Sequence, residues 1–102
     1  AYRNLRASAY GPGKGPYSRV GHSFTKHASQ QRPSSSAFPP LSGNDAVKEA
    51  TARQIFEDIL RDPSKTITVA QHLNYGQVIE VMSSTGRGAK FDVGGGFLYL
   101  FE

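Results

Sequence analysis

The chain has 102 residues, 37% of them apolar, which gives room for one domain with one core and leaves part of the chain outside it. It has no cysteine, which excludes a disulfide framework or a thiolate metal site, and its formal net charge is +4. No apolar run approaches the roughly 18 residues of a membrane-spanning helix, and the N-terminus lacks the apolar centre of a signal peptide.

The charge is unevenly placed. Up to Pro40 the charged residues are Arg3, Arg6, Lys14, Arg19, Lys26 and Arg32, with no acid among them. From Leu41 onward six bases face eight acids, a net of −2. Basicity confined to one region points to a polyanionic partner, RNA foremost. The chain opens at Ala1 without a methionine, as expected of a piece of a longer protein.

Residues 1–18 are rich in Gly, Pro, Ser and Tyr, and the run Gly11-Pro12-Gly13-Lys14-Gly15-Pro16 cannot sustain a helix or a central strand. They are expected to form a flexible basic lead-in, with a single domain over residues 19–102. Gly13-Lys14-Gly15 lacks the spacing and the Lys-Ser/Thr pair of a phosphate loop. Residues 20–31 suit a short helix with Val20 and Phe24 on one face and His22 and Lys26 one turn apart on another. Pro33 ends it, and an extended connector over residues 34–40 is expected to plug Phe38 into the core. Residues 44–62 form the clearest helix, with Asn44 as N-cap, Asp45 and Glu49 near its positive end, and a stripe of Ala52, Ile55, Phe56, Ile59 and Leu60. Pro63 stops it.

Beyond Pro63 the apolar period changes to two. Strands are expected over residues 66–70, 77–82, 89–93 and 97–101. The short Gly-rich turns between the last three favour an antiparallel meander over parallel pairing. Helices followed by four such strands make an α+β fold, with N-terminal helices packed on a four-stranded antiparallel sheet.

Three groups of residues could carry chemistry. In His22-Ser23-Phe24-Thr25-Lys26-His27, helical geometry sets His22 and Lys26 on one face and turns His27 roughly 140° away from His22. Histidine transfers protons near neutral pH, and a neighbouring lysine can stabilise a phosphorane-like anion. Either histidine could instead cap or pack the helix surface. In the hairpin over residues 83–90, Ser84, Thr85, Arg87 and Lys90 offer hydroxyls and cations on a Gly-rich loop, which could equally be an ordinary solvated turn. In His72-Leu73-Asn74-Tyr75-Gly76, His72 reads first as a turn residue. Tyr75 and Tyr99 could stack on RNA bases or serve the core. With three histidines, no cysteine and no acid beside the first group, a metal site is not expected and no cofactor is implied.

These same residues bring a resemblance. Gly21-His22-Ser23-Phe24-Thr25-Lys26-His27, the Phe38-Pro39 connector, one long helix, and the closing Gly86-Arg87-Gly88-Ala89-Lys90-Phe91-Asp92, Gly96-Phe97 and Phe101 resemble the C-terminal ribonuclease toxin domains of bacterial polymorphic toxins. The contact-dependent growth inhibition effectors are of this kind, and the fold group is that of barnase, EndoU, colicin and RelE. The resemblance spans roughly residues 19–102. It implies a metal-independent endoribonuclease, often a tRNase, carried by a larger secreted or cell-surface effector, acting in the cytoplasm of a target cell and neutralised by a cognate immunity protein.

Carried over by position, the resemblance makes His22 and Lys26 the basic catalytic segment and Thr85, Arg87 and Lys90 the phosphate-side residues. His27 or His72 is the second proton-transfer group, with the choice left open. Arg19, Ser84, Tyr75, Tyr99 and His72 are expected to bind substrate. The expected chemistry is attack of a ribose 2′-hydroxyl on the adjacent phosphate, giving a 2′,3′-cyclic phosphate. The immunity protein is expected to be acidic and to cover His22 and Arg87. A non-catalytic RNA-binding module is the alternative, and a metal-dependent nuclease acting on DNA a third, with Asp92 the one acid close to the expected site.

Overall fold

A stripe of Ala52, Ile55, Phe56, Ile59 and Leu60 recurs at the spacing of one helix face, and the computed structural model buries all five on α3 (Asp45–Arg61). The structure describes residues 2–29 and 38–102, and of Tyr2, His27, Ala28 and Ser29 only the backbone. The Asn44 side chain accepts from the Val47 N–H at 3.0 Å, the N-cap bond expected from the sequence. At the other end Asp62 is already extended before Pro63, which cannot continue a helix.

Four strands follow: β1 (Thr66–His72), β2 (Gly76–Met82), β3 (Gly88–Asp92) and β4 (Phe97–Phe101). They pair antiparallel in the order β1-β2-β3-β4, the meander that the short turns imply. Val81, Ala89 and Leu100 lie opposite one another on the face toward α3, with Phe91 and Phe97 beside them. Phe56 meets Phe91, Phe97 and Tyr10 at ring-centroid distances of 6.1, 5.9 and 5.6 Å. Phe38 is buried in the same core, as the sequence suggested. The helices leave β1 uncovered, and Ile67 and Val69 remain more than half exposed on this edge strand. Among the described residues no helix is long and apolar enough to cross a membrane.

The register between β3 and β4 shifts after Lys90. Lys90 faces Tyr99, then Phe91 faces Phe97, so Leu98 has no partner on β3. The extra residue lets both phenylalanines reach the core.

The expected lead-in needs correction. Residues 2–9 form a helix, α1 (Tyr2–Ala9), with Ala9 fully buried and Leu5 packed against the core. Eight residues are too few for a helix to persist by propensity alone, so its stability comes from tertiary contacts. The Arg6 guanidinium forms a two-pronged ion pair with Glu57 at 2.9 and 3.0 Å, and the Tyr10 hydroxyl donates to the same carboxylate. These partners lie about fifty positions away in sequence, which is why composition missed them. The second helix, α2 (Arg19–Ser29), begins where expected; its expected end at residue 31 and the connector over residues 34–37 lie outside the described residues.

The bond from Arg6 holds the Glu57 carboxyl below the usual glutamate range, with burial opposing and Tyr10 and Arg61 assisting. A carboxyl depressed on folding stabilises the fold fully above its unfolded pKa and loses that contribution as pH falls through the folded value. The urea midpoint is therefore expected to drop on acidification below about pH 5. Glu57→Gln should lower the unfolding free energy at pH 7 by about 1 kcal/mol and flatten the acid limb, and an unchanged acid limb would contradict this account.

Candidate active site

Ser18 starts α2. Its Oγ accepts from the Gly21 N–H at 3.1 Å, an N-cap bond, and donates to Glu49 at 2.7 Å. The Ser18 N–H also donates to Glu49 at 3.0 Å, and Arg53 pairs with the same carboxylate at 2.6 Å. Burial pushes the Glu49 carboxyl up, and the bonds from Arg53 and Ser18 outweigh it, leaving it below the usual range. Gly21 has a structural reason to lack a side chain: a Cβ there would overlap the Glu49 carboxylate. Val20 and Phe24 then face the core and are fully buried, which turns His22, Ser23 and Lys26 toward the outer edge of β4. Ser23 Oγ accepts from the Leu100 N–H at 2.8 Å, and Ser8 Oγ of α1 accepts from the Phe97 N–H at 2.7 Å. Two helix hydroxyls thus occupy the open edge of the sheet.

Between α2 and β4 lies a cleft of about 370 Å³, lined by Arg19, His22, Ser23, Lys26, Tyr75 and residues 97–100, with Gly13 at one side. No acid lines it. Pro12 and Ser18 form an isolated bridge that folds residues 12–18 back onto the start of α2, which is how Gly13 reaches the cleft. The Gly-Pro punctuation was the signal for this tight turn. Leu98, freed by the register shift, lines the cleft as well, a position no pattern in the sequence marks.

Tyr99 joins the cleft to the outer face of the sheet. Its hydroxyl lies 3.1 Å from His72 Nε2 and 3.1 Å from Lys90 Nζ. Lys90 is in turn paired with Glu80 at 3.1 Å. Burial works against the Lys90 charge, and the bonds to Tyr99 and Glu80 outweigh it, raising its pKa above the ordinary lysine value. The Tyr75 ring, half exposed, stands 4.8 Å from His72 and 6.5 Å from Tyr99.

The expected site residues therefore divide. Arg19, His22, Lys26, Tyr75 and Tyr99 line one cleft, and His72 and Lys90 are bonded to its Tyr99. Ser84, Thr85 and Arg87 do not join them. Ser83 and Ser84 donate to Asp62 at the end of α3, holding its carboxyl far below the usual range, with the Ser84 hydroxyl foremost. Thr85 bonds to Ser83, and the Arg87 guanidinium stands over the Phe38 ring. Thr85 and Arg87 line a second cavity with Asp58 and Arg61, which shares no residue with the first. The Asp62 carboxylate anchors this hairpin to the end of α3, a partner that hydroxyl and cation spacing could not reveal. The His27 side chain lies outside the described residues. Among the described residues no three His, Asp or Glu side chains gather closely enough to hold a metal ion.

A family model described as the CdiA C-terminal tRNase toxin domain matches residues 6–102. No curated protein matches the chain. Its fold is similar to that in a crystal structure of the toxic C-terminal tip of CdiA from Pseudomonas aeruginosa in complex with immune protein. The TM-score is 0.76 at 23% identity, over 94% of this chain and 99% of that one, a likeness that carries the fold.

The Gly21–Glu49 approach makes a prediction of sign. By helix propensity alone Gly21→Ala should stabilise by about 1 kcal/mol. Here it displaces Glu49 from Ser18, a charge-assisted bond contributing roughly 1.5–3 kcal/mol, so a net loss is expected in urea denaturation. In a Glu49→Ala background the same substitution should become stabilising.

Proposed function

The chain belongs to the CdiA C-terminal tRNase toxin domain family, and we propose from that membership and from the cleft that it cuts tRNA by metal-independent attack of a ribose 2′-hydroxyl. The observation that carries this reading is a cleft in which His22 and Lys26 stand together with Arg19 and no acid. A phosphodiester seated there meets cations on one wall and tyrosines on the other. His22 takes the 2′-hydroxyl proton, and the oxygen attacks phosphorus. Lys26 and Arg19 neutralise the charge that grows on the phosphorane oxygens. Tyr75 offers a ring for a flanking base to stack on. The products are a 2′,3′-cyclic phosphate and a free 5′-hydroxyl.

Contact-dependent inhibition supplies the setting: a larger surface effector delivers the domain, and it acts in the cytoplasm of the recipient cell. The neighbouring toxin tip is bound to an immune protein, and a cognate immunity protein is proposed for this chain as well. An acid-free cleft favours an acidic partner that covers it.

Incubation with total tRNA in excess EDTA should yield discrete fragments ending in cyclic phosphate, read by end-specific sequencing. His22→Ala is expected to lower cleavage by roughly 100- to 10,000-fold. Thr85→Ala, in the second cavity, should stay close to wild type. Intact tRNA that is bound in a salt-sensitive way would instead support a non-catalytic RNA-binding module. A metal requirement would revive the DNA- or nucleotide-directed reading.

A further inference from the structure

The hydrogen bonds around Tyr99 fix the direction of its proton. The Asn74 N–H donates to His72 Nδ1 at 3.0 Å, so Nδ1 carries no proton and the neutral ring is protonated at Nε2. His72 Nε2 is then the donor to Tyr99 Oη at 3.1 Å. The Lys90 ammonium has only donors, and it gives one to the same oxygen at 3.1 Å. A phenolic oxygen that accepts twice keeps its own O–H for a third group. Among the described residues no acceptor takes it, and Tyr99 lines the cleft with His22 and Lys26.

We propose that Tyr99 is a catalytic residue that protonates the leaving oxygen of the cleaved phosphodiester, with His72 and Lys90 as positioning residues acting through it. The proposal rests on the ribonuclease reading above. His22 removes the 2′-hydroxyl proton, and the O2′–P bond forms as the P–O5′ bond breaks. The electron pair goes to O5′, which takes the Tyr99 proton. The phenolate left behind is held by the His72 and Lys90 donors. It regains a proton through solvent as His22 loses the one it took, so the cycle closes with no net proton change. This arrangement gives both His72 and Lys90 a role without either touching the substrate.

The test compares two tRNA substrates at the position the wild type cuts, one natural and one with O5′ replaced by sulfur. A thiolate leaves without a proton, since a thiol has a pKa of about 8.5, far below that of an alcohol. Tyr99→Phe should lose roughly 100-fold or more on the oxygen substrate and stay within a few-fold of wild type on the sulfur one. Activity on the sulfur substrate also shows that the variant is folded. His72→Ala should show a smaller loss with the same split between substrates, which a merely structural role would not produce. His22→Ala should lose on both. Equal loss of Tyr99→Phe on both substrates, or full activity on the natural one, overturns the proposal while leaving the ribonuclease reading intact. Wild-type protein that binds and cuts neither substrate overturns both.

Discussion

The Glu49 carboxylate accepts from the Ser18 N–H and hydroxyl, and this contact fixes where α2 starts on α3. Each later feature of the cleft depends on that start. It sets which residues of α2 are buried, and so which face the edge of β4. Gly21 permits the approach, because any side chain there would occupy the space of the carboxylate. The negative group also sits at the N-terminal end of the α2 dipole, where it is favoured. A helix with a modest apolar face is thereby held at one rotation by polar contacts at its beginning and by Ser23 on Leu100 further along.

The same logic runs along the rest of α3. Glu57 holds α1 through Arg6 and Tyr10, and Asp62 holds the β2–β3 turn through Ser83 and Ser84. Glu80 is taken by Lys90, and Asp92 by the backbone of its own turn. With these carboxylates committed elsewhere, the α2–β4 cleft is left to Arg19, His22 and Lys26. A modest net charge is thereby concentrated as cations along one cleft. These acids hold the elements around the cleft without being among the residues that line it.

Much of the fold was legible in the sequence because it rests on local pattern. The α3 stripe, its Asn44 cap, the four strands and the burial of Phe38 follow from spacing and turn chemistry. α1 was not legible, since an eight-residue helix among glycines and serines has no local reason to form; Glu57 supplies it. In the site, pairing His22 with Lys26 needed only helical spacing. In the hairpin, Ser84, Thr85 and Arg87 look like phosphate ligands by type, and their position apart from the cleft is set by Asp62, which binds Ser83 and Ser84 at the end of α3. Lys90, from the same segment, is bonded to Tyr99 of the cleft.

The sequence alone determined the α+β class, the order of elements, the basic segment and the identity of its histidine and lysine, because each is set by residues within one or two turns of one another. The tertiary structure decided which of these groups meet. The joining of His72, Tyr99 and Lys90 brings together the end of β1, β4 and β3, with Lys90 and Tyr99 paired across β3 and β4. Whether two side chains on different strands point to one oxygen is a matter of register. A one-residue change of register reverses every side chain, and no local pattern records it.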